Sequence, residues 1–133
     1  MMEEFHRAFG HPVNEPWLIR VNGFIKLREK LHNEECKELN EELWNSFAKE
    51  KINPNLLKEG ADLLYVLLGT FVSLGLGEQL IEAFKRVHES NMSKLGEDGK
   101  PIYREDGKVM KGPNYKAPNL DDLIGSLFTK TST

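Results

Sequence analysis

With 133 residues the chain has room for one core but hardly for two, and 39% hydrophobic against 29% charged residues is an ordinary globular balance. A net charge of −3 argues against nucleic acid as the main partner, and the single cysteine, Cys36, excludes an intrachain disulfide framework. The start is acidic where a signal peptide would be basic. The greasiest stretch, 63–77, is shorter than the ~18 residues of a membrane span, so a soluble, cytoplasmic protein with no membrane partner is expected.

Taken in order, residues 3–9 predict a short helix with Phe5, Ala8 and Phe9 on one side, broken at Gly10-His11-Pro12. From Leu18 to Phe47 the apolar positions Phe24, Leu27, Leu31, Leu39, Leu43 and Phe47 recur at helical spacing, either as one long helix or as a pair kinked at Gly23. Asn53-Pro54 reads as a helix start, and the helix over 54–74 is apolar nearly all round its second half, which predicts the most buried element. A further helix over 78–93 carries Leu80, Ile81, Phe84, Val87 and His88 as its stripe, with His88 read as a core or interface side chain. Beyond Gly96 two Asp-Gly turns bracket 101–104 and predict a small hairpin. A basic, irregular segment follows, then a short helix opened by Asn119 with Leu120, Leu123, Ile124 and Leu127. The expected fold is all-α, about four main helices forming a bundle, in one domain: a helical core over 1–95 and a hairpin-and-tail segment over 96–133.

Two acidic clusters interrupt this pattern. Glu34, Glu35 and Glu38 fall where the Phe24-Leu27-Leu31 stripe would continue, and Glu59 and Asp62 share one face of the next helix. Acidic runs on helices are usually solvated faces, and Glu41 and Glu42 extend this one. Two clusters that each replace apolar residues on a core stripe are a different matter. Carboxylates turned inward repel one another, and an unpaired buried charge costs several kcal/mol. Hard divalent cations bound through oxygen resolve the conflict, with Mg²⁺ first among them and Mn²⁺ as a substitute. Acids that hold cations, opposite a segment carrying Lys94, Arg104, Lys108 and Lys111, form the combination that polyphosphate chemistry uses.

Glu-Glu-Cys-Lys-Glu at 34–38 followed by Glu-Gly-Ala-Asp at 59–62 resembles the EExxE…ExxD signature of the all-α nucleoside triphosphate pyrophosphohydrolases. Asp62-Leu63-Leu64-Tyr65-Val66, the stretch 88–95, Gly99-Lys100-Pro101-Ile102 and Lys111-Gly112-Pro113-Asn114-Tyr115 are similar to the MazG-like branch in particular, and the likeness runs over about residues 5–123. The resemblance implies Mg²⁺-dependent hydrolysis between the α and β phosphates, giving a nucleoside monophosphate and pyrophosphate. It implies metal ligation by Glu34, Glu35, Glu38, Glu59 and Asp62, with Glu35 or Glu38 also orienting or deprotonating the attacking water. Asn91 and Lys94 match nucleotide-facing positions, with Lys94 on phosphate, and Lys108, Lys111 and Tyr115 match tail residues that close over the substrate. A homodimer or homotetramer is also implied.

The segment ahead of the first cluster, with Asn14, Trp17 and Asn22, departs from the family pattern. Trp17 is either a stacking surface for a base or a core anchor. Viral members of the branch trim deoxynucleotide pools, so a deoxynucleoside triphosphate is expected here, dGTP first, with phosphoribosyl-ATP as the competing substrate. A rival of another class is a ferritin-like metal-binding bundle, prompted by Glu3-x-x-His6 and Glu29-x-x-His32.

Overall fold

A computed structural model describes residues 1–125, so Leu127 of the expected final helix lies outside the described residues. The fold is all-α. Among the described residues there are four helices, α1 (Met2–Ala8), α2 (Asn22–Ala48), α3 (Pro54–Ser73) and α4 (Gly77–Met92), with one 3₁₀ turn, Pro16–Arg20, between α1 and α2 and another, Asp121–Leu123, after α4. Among the described residues the only β pairing is one isolated antiparallel bridge. Among the described residues no single helix is long and apolar enough to cross a membrane. The chain divides into two compact units, Met1–Gly77 and Glu78 onward.

In the first unit α2 packs along α3 and α1 rests on α3. Gly23 causes no break, and α2 runs for 27 residues. The α2–α3 connection turns at Glu50, held at φ +48°, and α3 opens as expected: the Asn53 side chain accepts from Asn55 N at 3.1 Å and Pro54 sits where no amide hydrogen is needed. The loop after α1 is tied to the end of α3 by Asn14 N donating to Val72 O (3.0 Å) and Glu15 N to Ser73 O (2.7 Å). Leu18, Phe24 and Leu74 form the buried apolar cluster, with Leu76 against it.

The stripe of α2 that meets α3 differs from the expected one. Arg28, not Leu27, is buried beside Phe24, and Leu27, Leu43 and Phe47 are exposed. Arg28 Nε donates to Thr70 Oγ1 (2.8 Å) and its Nη2 to Val66 O (2.5 Å), while His32 Nε2 lies 2.7 Å from the same hydroxyl. The reason is geometric: positions 24, 28, 35 and 42 share one face at about 100° per residue, and Leu27 falls a step aside. On α1 the buried side chain is His6, which donates from Nδ1 to Pro12 O at 2.8 Å, while Phe9 points to solvent. The histidines of both Glu-x-x-His pairs are therefore spent on hydrogen bonds that close the fold. Of the four helices α3 has the largest share of buried and half-buried residues, as expected. Even so, Leu57, Leu64, Tyr65 and Leu67 are exposed, because α2 and α1 together cover only part of a surface that is apolar nearly all round.

Gly69 marks the tightest approach. A Cβ there would sit 2.9 Å from His6 Nε2 and 3.0 Å from Arg28 Nη2, both inside the buried polar network. Gly69→Ala is expected to destabilise the protein by about 1–3 kcal/mol, as overpacking does. Urea unfolding followed by circular dichroism measures this, and an unchanged midpoint would contradict it.

The second unit is organised on α4. Its expected stripe is also largely open: Ile81, Phe84, Val87 and His88 are exposed, and Ser90 is the buried side chain. Ser90 Oγ donates to Lys116 O (2.7 Å), Lys116 N donates to Ser93 Oγ (3.0 Å), and Gly112 N donates to Lys94 O (2.9 Å). Arg86 grips Asp122 with two hydrogen bonds, 2.6 and 3.0 Å, and donates to Asn119 O at 3.1 Å. The segment read as basic and irregular from sequence is thus fastened to α4. The hairpin is reduced to a bridge between Tyr103 and Val109, closed by Arg104 N to Lys108 O (2.8 Å) and turning at Gly107, φ +85°. Asn119 acts near the start of its turn by accepting from Asp121 N (3.1 Å), but the turn is a single 3₁₀ step and not an α-helix.

Candidate active site

The acidic residues converge where α2 crosses α3. One carboxylate oxygen each from Glu35, Glu38 and Glu59 lies within 4.8 Å of the others, close enough for a single cation to touch all three. Glu59 is buried, Glu35 and Asp62 are half-buried, and Glu34 and Glu38 are exposed. Inward placement of all five, as expected from sequence, is thus complete only for Glu59. Glu34 lies one residue round the helix from Glu35 and instead meets Lys30 at 3.7 Å on the outer side. Asp62 is held by Lys58 at 2.8 Å, and the same ammonium lies 3.2 Å from Glu59 Oε1.

Hydrogen bonding leaves conspicuous gaps. Glu59 Oε1 accepts from both Asn55 Nδ2 and Lys58 Nζ at 3.2 Å, yet its Oε2 is buried with no partner among the described residues, as is Oε2 of Glu35. Such orphaned oxygens are rare in folded proteins and call for a missing ion or proton. Oxygen donors in this number and spacing fit a hard divalent cation.

Electrostatics agree. Burial, and then the negative charges of Glu38, Asp62 and Glu59, push the Glu35 carboxyl above its ordinary pKa, with Lys58 opposing them. Hydrogen bonds to Asp62 and Glu59 in turn raise Lys58, which keeps its charge. Folding raises the affinity of Glu35 for a proton, so its contribution to metal-free stability falls as pH climbs from the ordinary carboxylate range through the raised pKa. A cation competes for that same place. The rise in melting temperature on adding Mg²⁺ is therefore expected to be larger at about pH 7.5 than at about pH 5. Differential scanning fluorimetry reads it, and equal shifts at both pH values would contradict it.

Sequence reasoning missed Glu42. It was grouped with a solvated face, yet it is buried; its Oε2 accepts from Asn55 Nδ2 (3.2 Å) and its Oε1 has no partner. The spacing 35, 38, 42 was the available signal, since i, i+3 and i+7 share a helix face. Also in the first unit, a cavity of about 270 Å³ is lined by Ile19, Phe24, Arg28, His32 and Thr70 among others. Trp17 is exposed on the first 3₁₀ turn and does not line it.

The remaining expected substrate residues belong to the second unit. Asn91, Lys108 and Lys111 are exposed, and Lys94 and Tyr115 are half-buried. Lys111 Nζ stands 4.6 Å above the Tyr115 ring, a cation–π contact that brings two of the expected residues together.

Comparison with known proteins bears on this arrangement. A profile described as phosphoribosyl-ATP pyrophosphohydrolase matches residues 2–91, which include all of α1, α2 and α3 and both acidic clusters. Curated proteins give no match. Among solved structures, the chain is similar to a protein from Exiguobacterium sp. 255-15 provisionally assigned as an NTP pyrophosphohydrolase, at 27% identity over 96% of this chain and 94% of that one, with a TM-score of 0.46. With the family profile spanning the helices that carry the converging carboxylates, the chain belongs to the phosphoribosyl-ATP pyrophosphohydrolase family of MazG-like all-α enzymes and is a nucleotide pyrophosphohydrolase.

Proposed function

We propose that the substrate is a deoxynucleoside triphosphate, dGTP first, hydrolysed between the α and β phosphates to the monophosphate and pyrophosphate with Mg²⁺. The observation that carries the reading is the meeting of Glu35, Glu38 and Glu59 with two buried oxygens left unpartnered. Glu35, Glu38, Glu59 and Asp62 would hold the cation, and Glu34, restrained only by a surface pair that is weak in water, completes the set. When bound, the cation neutralises phosphate charge and makes a nearby water more acidic. Glu35, half-buried on the inner face, is suited to accept the proton of the attacking water, and Glu38, one turn along on the same face, to orient that water. Lys58 is the charge that must yield, because it pairs with Asp62 at 2.8 Å.

The base preference is supported by the cavity beside Arg28. Arg28 spends Nε and Nη2 on α3, while Nη1 makes no hydrogen bond among the described residues. Guanine offers O6 as an acceptor for Nη1, whereas adenine presents a donor at that position. Asn91, Lys94, Lys108, Lys111 and Tyr115 are assigned to substrate binding on their charge and hydrogen-bonding capacity, and Trp17, exposed on the first 3₁₀ turn, to a substrate contact outside that cavity.

Large apolar side chains left open on α2 and α3, with Trp44 70% and Phe47 73% exposed, support assembly into a homodimer or homotetramer. Phosphoribosyl-ATP, the substrate in the family description, is the second reading. A screen of all standard NTPs and dNTPs and phosphoribosyl-ATP, with Mg²⁺ and pyrophosphate detection, tests the proposal. Turnover confined to phosphoribosyl-ATP would replace the first reading with the second.

A further inference from the structure

Asn55 occupies an unusual place. Its single side-chain NH₂ donates to Glu59 Oε1 and to Glu42 Oε2, both at 3.2 Å, so two buried carboxylates straddle one amide. Both acids are only 7% exposed, and each keeps one unpartnered oxygen. Glu42 lies outside the acidic signature and outside the group whose oxygens converge on one point.

We infer that Glu42 and Asn55 are a positioning pair for Glu59. With both amide hydrogens committed, Asn55 cannot flip or swing. It pins Oε1 of Glu59 and leaves Oε2 as the oxygen presented to a cation. Glu42 acts through Asn55: without it one amide hydrogen is free and the side chain has a second orientation that leaves Glu59 Oε1 held by Lys58 alone. Partners that orient a ligating carboxylate in this way commonly contribute 10–100-fold to metal affinity. The pair is well founded in the fold, since Glu42 is on α2 and Asn55 on the first turn of α3, held there by the Asn53 cap. This inference rests on the cation reading above.

The test is equilibrium Mn²⁺ binding to the full-length protein without nucleotide, by electron paramagnetic resonance or calorimetry. Asn55→Ala and Glu42→Ala are each expected to weaken binding by about 10- to 100-fold. Glu42→Gln retains an oxygen that accepts from Asn55 and should recover most of that loss. The double variant Glu42→Ala/Asn55→Ala should be about as weak as Asn55→Ala alone, because both act along one route. In turnover the same variants should raise the Mg²⁺ concentration needed for half-maximal rate while restoring kcat at saturating metal. A merely structural role would lower the melting temperature and leave Mn²⁺ affinity untouched, and that result overturns the inference, as do fully additive losses. Asn55 is exposed, so its truncation carries the test even if Glu42→Ala fails to fold. Wild-type protein that binds no Mn²⁺ would sink the cation reading itself. Binding by wild type with unaltered variants would sink the positioning pair alone.

Discussion

Glu35→Gln is expected to lower turnover by about 10³-fold or more and, in the same protein, to raise the melting temperature of the metal-free state by a few degrees. Both effects have one cause. Glu35 is driven above its ordinary pKa by burial and by three neighbouring carboxylates, so in the absence of a cation it is a destabilising group at neutral pH. Glutamine removes the charge, keeps the shape and brings an amide that can donate to Glu38 or Glu59. The function that required the charge is lost. Initial rates with saturating Mg²⁺ and a thermal scan in a chelator give the two readouts. A stabilised, inactive variant matches the proposed site; an inactive variant that is also less stable would mean Glu35 is structural, and near-normal turnover would remove it from the chemistry. Glu38, being exposed, is expected to tolerate glutamine with the fold intact and to lose activity on a similar scale.

The second large effect lies in the other unit. A Cβ at Gly112 would stand 2.3 Å from Leu95 O and 2.7 Å from Lys94 O, and backbone carbonyls at a helix end cannot step aside as a flexible side chain does. Gly112→Ala should therefore break the hydrogen bond from Gly112 N to Lys94 O and detach the following residues from α4, at a cost of about 1–3 kcal/mol or more. Lys111 and Tyr115 flank this glycine, and Lys94 is the residue it rests on. If these hold phosphate, KM should rise by at least about tenfold, the loss expected for one charge-assisted hydrogen bond of roughly 1.5–3 kcal/mol. Limited proteolysis after 96 would report the detachment and steady-state kinetics the KM. Detachment with unchanged kinetics would deny the segment its role in binding.

The α-helices and the two acidic clusters were legible in the chain because helical periodicity is a local property. Apolar residues three and four apart place Glu35 and Glu38 on one face whatever α2 packs against, and Asn53-Pro54 marks the start of α3 through its own backbone chemistry. The family likeness rests on the same local spacing. What the tertiary structure alone decided is the rotation and register of α2 on α3. That register buries Arg28 in place of Leu27, sets Glu59 rather than Glu34 beside Glu35, and turns Glu42 from a surface acid into a buried partner of Asn55. The Arg86–Asp122 clasp, 36 residues apart, was likewise beyond reach. A charged residue reads the same in a sequence whether water or another carboxylate stands opposite it. Only the packing of one helix on the next determines which, and through that how strongly the residue holds a proton or a metal ion.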